Sequence, residues 1–173
     1  MLHRIDRFAE LDGRKLMDLY AEGNRENAEY FYPDMDPDAG TQRVEREFLA
    51  FLRDEFLPQP ENTYWVLEEN GAYRSALRLT ELSGRLFYLE ALETHPDCRR
   101  QGYAVRLLRE VTDALRAQGP FRICDCVSKR NIPSIEAHKK AGFQIVSEEG
   151  YDYLQGKADA NDYVFAYTYP TEP

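Results

Sequence analysis

Two stretches of this chain hold most of its chemistry-bearing residues: "EALETHPDCRRQGYAVRLL" from Glu90 to Leu108, and "CDCVSKRNIPSIEAHKKAGF" from Cys124 to Phe143. In the first, Arg99, Arg100 and Gln101 lead into Gly102, Tyr103 and Ala104 at the head of an apolar helical run. A helix that starts at a glycine turn leaves its first backbone N–H groups unpaired and aims the positive end of its dipole outward, so such a corner can hold an anion. Gly102 permits a tight backbone approach, the small Ala104 lets a flat or bulky ligand lie against the first turn, and Arg99 and Arg100 add charge. On spacing alone a surface turn with solvated arginines accounts for the pattern equally well.

The elements that must position these residues follow from periodicity. Leu16, Met17, Leu19 and Tyr20, and then Val44, Phe48, Leu49, Phe51, Leu52 and Phe56, recur at helical spacing, which predicts amphipathic helices over 14–22 and 43–57. Pro33, Pro37 and Gly40 predict a loop between them, "YFYPDMDPDAG", whose Tyr30, Phe31 and Tyr32 are candidates for ligand specificity. From Thr63 the runs "TYWVLEE", "GAYRSALRLTEL" and "GRLFYLEALET", separated by turn signals at Asn70-Gly71 and Ser83-Gly84, predict a three-strand meander. A helix over 103–118, the buried strand "FRICDCV", a helix capped by Asn131 and closed by Gly142, and two strands near 143–149 and 162–169 complete the chain. The strand-helix-strand step makes the sheet mixed, since such a crossover joins parallel neighbours. The expected fold is α+β: a mixed, mostly antiparallel sheet of six to seven strands flanked by about four helices, one domain over residues 1–173.

Read with its flanks, "LEALETHPDCRRQGYAVRLL" resembles the acetyl-CoA-binding segment of the Gcn5-related N-acetyltransferase superfamily, Arg/Gln-x-x-Gly-x-Gly/Ala after a strand, matched by Arg99, Gly102 and Ala104. "NIPSIEAHKKAGF" is similar to the second motif of that superfamily at Asn131, Ser134, Lys140, Gly142 and Phe143. The resemblance covers residues 85–143 and implies an acyl-CoA N-acyltransferase fold, with the sheet splayed between the strand ending at Thr94 and "FRICDCV". It implies further that backbone groups of Leu92 and Thr94 bind the pantetheine arm, and that Arg99, Arg100, Gln101, Gly102, Tyr103 and Ala104 hold the pyrophosphate. Asn131 and Ser134 would then touch the far side of the cofactor. His138 stands where many members of the family place a tyrosine near the cofactor sulfur, which leaves the acid unassigned.

Acyl transfer to an amine needs a base for the ammonium proton, a donor for the oxyanion and a proton for the departing thiolate. Glu90 is the preferred base, on the same face as Leu92 and Thr94 and opposite to Glu93 unless a bulge intervenes; a solvated strand carboxylate is the alternative for each. The resemblance makes the Leu92 N–H the oxyanion donor. For the acid, His138, Tyr151 and Tyr153 are candidates, set against a packed histidine and packed tyrosines. Cys124 and Cys126 read as core, with Asp125 a second-choice base, and the aromatic face of Tyr163, Phe165, Tyr167 and Tyr169 reads mostly as core.

Bulk properties bound the alternatives. With 22 Lys+Arg against 31 Asp+Glu the formal charge is -9, which argues against a general nucleic-acid binder. The cysteines Cys98, Cys124 and Cys126 form no CxxC pair or metal-ligand cluster and read as reduced thiols of a cytoplasmic protein; no apolar run is long enough for a signal peptide core or a membrane span. The function implied is acetyl-CoA-dependent acetylation of a small-molecule or peptide amine by an enzyme without metal, and homodimers are common in proteins of this resemblance. A CoA-binding sensor with altered chemistry and a nucleotide-binding regulator are the competing readings.

Overall fold

The alternating apolar runs become strands in the computed structural model, which describes residues 1–170. Seven strands form one sheet: β1 (Leu2–Ile5), β2 (Asn62–Glu69), β3 (Ala72–Ser83), β4 (Leu86–Thr94), β5 (Phe121–Ser128), β6 (Gln144–Ser147) and, last in the chain, β9 (Asp162–Tyr169). Between β6 and β9 a separate hairpin pairs β7 (Gly150–Asp152) with β8 (Lys157–Asp159). The order across the sheet is β1-β2-β3-β4-β5-β9-β6, and the β4–β5 pair is parallel while every other pairing is antiparallel.

Five helices cover the two faces: α1 (Gly13–Leu19), α2 (Ala21–Phe31), α3 (Pro37–Phe51), α4 (Tyr103–Arg116) and α5 (Ile132–Ala141). The apolar stripe of α4, with Leu107, Leu108, Val111 and Leu115, is buried with Leu77, Leu89, Ile123 and Phe165 of the sheet, and Ile135 of α5 joins it. On the opposite face Leu16 and Leu19 of α1, with Leu52 and Phe56 after α3, bury Tyr64, Val66 and Ala76. The fold therefore agrees with the mixed α+β sheet read from the sequence.

Three local expectations are corrected. The loop expected over 30–40 is shorter, 32–36: Tyr30 and Phe31 end α2, and Pro37 opens α3 behind an Asp36 cap whose Oδ1 accepts from the Ala39 N–H. Proline fits this first helical position because its missing N–H would be unpaired there anyway. The helix expected over 14–22 is two helices that break at Tyr20. The edge strand β1 and the β7–β8 hairpin were not foreseen: four- and three-residue strands are too short to show a period.

Candidate active site

The sheet opens where its one parallel pairing stops. β4 and β5 are in register only from Leu86↔Arg122 to Leu89↔Asp125, although β4 runs on to Thr94 and β5 to Ser128. Beyond Leu89 the β5-facing edge of β4 thus has no strand partner, which gives the V-shaped gap that the two motifs imply. Backbone groups along such an edge can take an extended ligand as an added strand.

A bulge lies within the open part of β4. Pairing with β3 passes from Arg78↔Glu90 to Ala76↔Glu93, so Leu77 faces two residues, and Ala91 adopts φ 51°. An inserted residue reverses the in-out alternation beyond it. Leu89 and Leu92 consequently both join the α4–α5 core. Glu90, opposite Arg78, and Glu93, opposite Ala76, share the α1–α3 face. The bulge overturns the expectation that Glu90 shares a face with Leu92 and Thr94, and it is the interruption that lets Glu93 join the face of Glu90. Thr94 instead meets Ser75, Oγ1 to Oγ 3.0 Å.

The corner beyond Thr94 has the geometry of an anion site. Arg100 and Gly102 are left-handed, with φ 62° and 85°, and Gly102 is the residue before the first turn of α4. A Cβ on Gly102 would meet nothing within 4 Å, so the backbone angle and not crowding asks for glycine there. No side chain caps this helix start, and the Gln101 amide donates to the Asp97 carbonyl to brace the loop. Arg99 pairs with Glu22 of α2 and lies 3.4 Å from Glu93, so its charge is shared with carboxylates in this structure. Across the gap Asn131 Oδ1 accepts from the Ser134 N–H and caps α5.

On the α1–α3 side of the splay is a cleft of about 450 Å³. Leu89 and Asp125, the last registered pair, line it together with Glu90, Cys126, Tyr151 and Asp152, and the β7–β8 hairpin walls it with Lys157 and Asp159. Gly150 is needed at the hairpin's root, since a Cβ there would come within 2.5 Å of the Asp162 Cβ. Four acidic side chains, Glu90, Asp152, Asp159 and Asp162, line the cleft against one lysine, while the Asp125 carboxyl beside them is turned to His138. Burial pushes the Glu90 carboxyl up; Arg78, 3.8 Å away, pulls it down, and Asp152 and Asp125 push it further up.

His138 is fully buried on α5, among Phe143 and Phe165, with Nε2 2.8 Å from Asp125 Oδ2 and Nδ1 2.8 Å from the Ser134 carbonyl oxygen. The approach to Asp125 is close but poorly aligned for a hydrogen bond. Tyr151 is exposed and lines the cleft, whereas Tyr153 packs on Tyr88 at 5.6 Å between ring centres. Cys124 is buried, and Cys126, half-buried on the cleft, donates its thiol to the Tyr151 carbonyl. Tyr30 and Phe31 are exposed on α2 and do not line the cleft.

The sequence reading missed Asp152, Lys157, Asp159 and Asp162, although the polar run "YDYLQGKADAND" with its glycine carries a hairpin signal. It also missed Tyr20, whose hydroxyl donates to the Ala91 carbonyl at the bulge, 2.6 Å away. No helix among the described residues is long and apolar enough to cross a membrane, and among them no group of three His, Cys, Asp or Glu is placed to hold a metal ion.

Comparison with known structures finds the same architecture at low identity. The PaiA N-acetyltransferase from Thermoplasma acidophilum, solved in complex with coenzyme A, superposes with a TM-score of 0.65 at 14% identity, covering 98% of this chain and 99% of that one. An aminoglycoside 6'-acetyltransferase type Ii gives 0.64 at 18% identity over 100% and 99% of the two chains. The ribosomal-protein-S18-alanine N-acetyltransferase from Escherichia coli gives 0.54 at 21% identity over 75% and 79%. Comparison with curated protein sequences finds no match. The profile described as Acetyltransferase (GNAT) family matches residues 14–143, which take in the splayed strands, the Gly102 corner and the Asn131 helix: this chain belongs to the GNAT acetyltransferase family.

Proposed function

We propose that this chain is an acetyl-CoA-dependent N-acetyltransferase that moves an acetyl group to the primary amine of a small molecule or a peptide. The observation that carries the reading is the opening beyond Leu89 and Asp125, which has the α4 helix start on one side and the carboxylate-lined cleft on the other. The open edge of β4 suits a pantetheine arm, held by backbone groups of Leu92 and Thr94. The corner from Arg99 to Ala104 suits a pyrophosphate, with Asn131 and Ser134 across the gap. The described residues fit that cosubstrate, since the uncapped helix start and left-handed Gly102 leave backbone donors for its phosphates. Coenzyme A in the Thermoplasma relative supports the same assignment.

Within this reading, bound acetyl-CoA supplies the activated acyl group, and the residues manage protons and charge. Glu90 takes the proton from the acceptor ammonium, directly or through water; its burial raises its basicity toward that task. The Leu92 N–H receives the oxyanion. The thiolate proton comes from the Asp125–His138 pair or from Tyr151. The acidic cleft favours a cationic acceptor, as expected for an amine protonated at neutral pH. The free thiols of Cys98, Cys124 and Cys126 agree with a reducing, cytoplasmic setting.

One observation favours a second reading, a CoA-binding module with altered chemistry: His138 is sealed from solvent at the position where the motif resemblance implies a tyrosine. Thiol release from acetyl-CoA with a panel of amines separates the two. Turnover with an amine supports the enzyme, and CoA binding without turnover across the panel supports the module.

A further inference from the structure

A strand carbonyl ordinarily lies in the plane of the sheet and is taken by a neighbouring strand. The Ala91 carbonyl is taken by a side chain from one face: the Tyr20 hydroxyl, at the α1–α2 junction, donates to it at 2.6 Å. Tyr20 in turn accepts from the Tyr64 hydroxyl of β2 at 2.8 Å. Burial pushes both phenols well up, with Arg78 pulling each down and Glu93 pushing each up, so the two hydroxyls stay protonated donors in a fixed direction. The same junction touches the flanking segment twice more, through Asp18 to His95 at 3.5 Å and Glu22 to Arg99.

A trans peptide is planar, with its N–H opposite its C=O. A carbonyl held toward α1 and α2 therefore turns the N–H of the same peptide, that of Leu92, away from those helices. Ala91 has a positive φ, a conformation that a non-glycine residue adopts only under constraint from its surroundings. We infer that Tyr20 is a positioning residue for acyl transfer: supported by Tyr64, it holds the Ala91–Leu92 peptide in the orientation that presents the Leu92 N–H to the developing oxyanion. This rests on the acyl-transfer reading above. It goes beyond it by assigning to a residue of the N-terminal helices, outside both motifs, the setting of the oxyanion donor.

The test is Tyr20→Phe, which keeps the ring and removes the donor. Without it kcat falls by about tenfold or more, the direction and scale of a misplaced oxyanion donor, while KM for acetyl-CoA and the CoA dissociation constant by calorimetry stay close to wild type. Tyr64→Phe, which removes only the support, gives a smaller loss in kcat. Leu57→Ala, a core truncation in the same cluster that removes no hydrogen-bonding group, lowers the melting temperature and keeps kcat below it. A Tyr20→Phe enzyme with wild-type kcat overturns the assignment, and so does a Leu57→Ala enzyme that loses kcat in parallel. A wild-type chain that transfers acetyl to no amine fails the acyl-transfer reading instead, a result distinct from either.

Discussion

The imidazole of His138 and the carboxyl of Asp125 approach within 2.8 Å in a part of the core closed to solvent. The Ser134 carbonyl beside Nδ1 can only accept, so Nδ1 carries a hydrogen. Nε2 then faces Asp125 either as an acceptor toward a protonated carboxyl or as a second N–H toward a carboxylate. The pair holds one shared proton in both cases.

That proton sets the sign of a pH dependence. Burial pushes the Asp125 carboxyl up from 3.8; burial pulls His138 down, but Asp125 outweighs this and leaves it above 6.5. Between those ordinary values the unfolded chain also carries one proton on the two groups, so folding takes up none. Above 6.5 the unfolded chain loses it and the fold keeps it, and stability contributed by the pair is lost as pH rises through its folded titration. Asp125→Asn costs about 1–3 kcal/mol at pH 6 and reverses the slope, because a neutral buried histidine disfavours the protonation that the unfolded chain undergoes below 6.5. Urea titrations of both proteins from pH 5 to 9 read the difference; parallel curves would show that the pair shares no proton.

Gly102→Val probes the anion corner. With φ at 85° the substitution strains the backbone by about 1–2 kcal/mol, while open space around the new Cβ avoids a clash. The melting temperature drops by roughly 2–8 °C, and CoA affinity by calorimetry falls by about tenfold or more, since the first amides of α4 must shift. Unchanged affinity would remove the phosphate site from this helix.

These two predictions differ in how far the sequence reveals their basis. Gly102 stands in a motif next to a strongly periodic helix, so helix start, glycine and arginines are legible together. The same holds for Asn131, whose capping role follows from the residues after it. The faces of Glu90 and Glu93 were not legible, because one inserted residue at Ala91 reverses the alternation and nothing in "LEALET" marks where a bulge falls. Tyr20 lies far from Ala91 in the chain, and only the packing of α1 and α2 on the sheet brings them together. The acidic hairpin wall was missed because its strands are three residues long.

Glu90→Gln addresses the base. A base works when deprotonated, so activity is lost as pH falls through the Glu90 titration, and burial places that limb above the ordinary 4.5 of a glutamate. In kcat/KM against pH the acid limb vanishes in the variant, and the plateau falls by about 10²–10⁴-fold. A limb that stays in place with the plateau unchanged would transfer the role to another group, with Asp152 the next carboxylate on the cleft.

Asp159→Asn separates the acceptor side from the cofactor side. Asp159 and Asp162 line the hairpin wall of the cleft, and the Asp162 carboxyl is pushed up by burial first and by the charge of Asp159 next. A bound cation relieves that repulsion, so the two acids favour an ammonium more than either would alone. Removing one charge raises KM for a dicationic amine by about two- to tenfold and leaves KM for acetyl-CoA unchanged, because the phosphate corner lies across the splay. The increase shrinks at high salt as screening weakens the wild-type attraction as well. For an acceptor with only its reacting amine the shift is smaller, since no second ammonium is left to lie against the hairpin wall. Equal effects on both acceptors, or an effect on acetyl-CoA, would place the cation elsewhere than against Asp159 and Asp162.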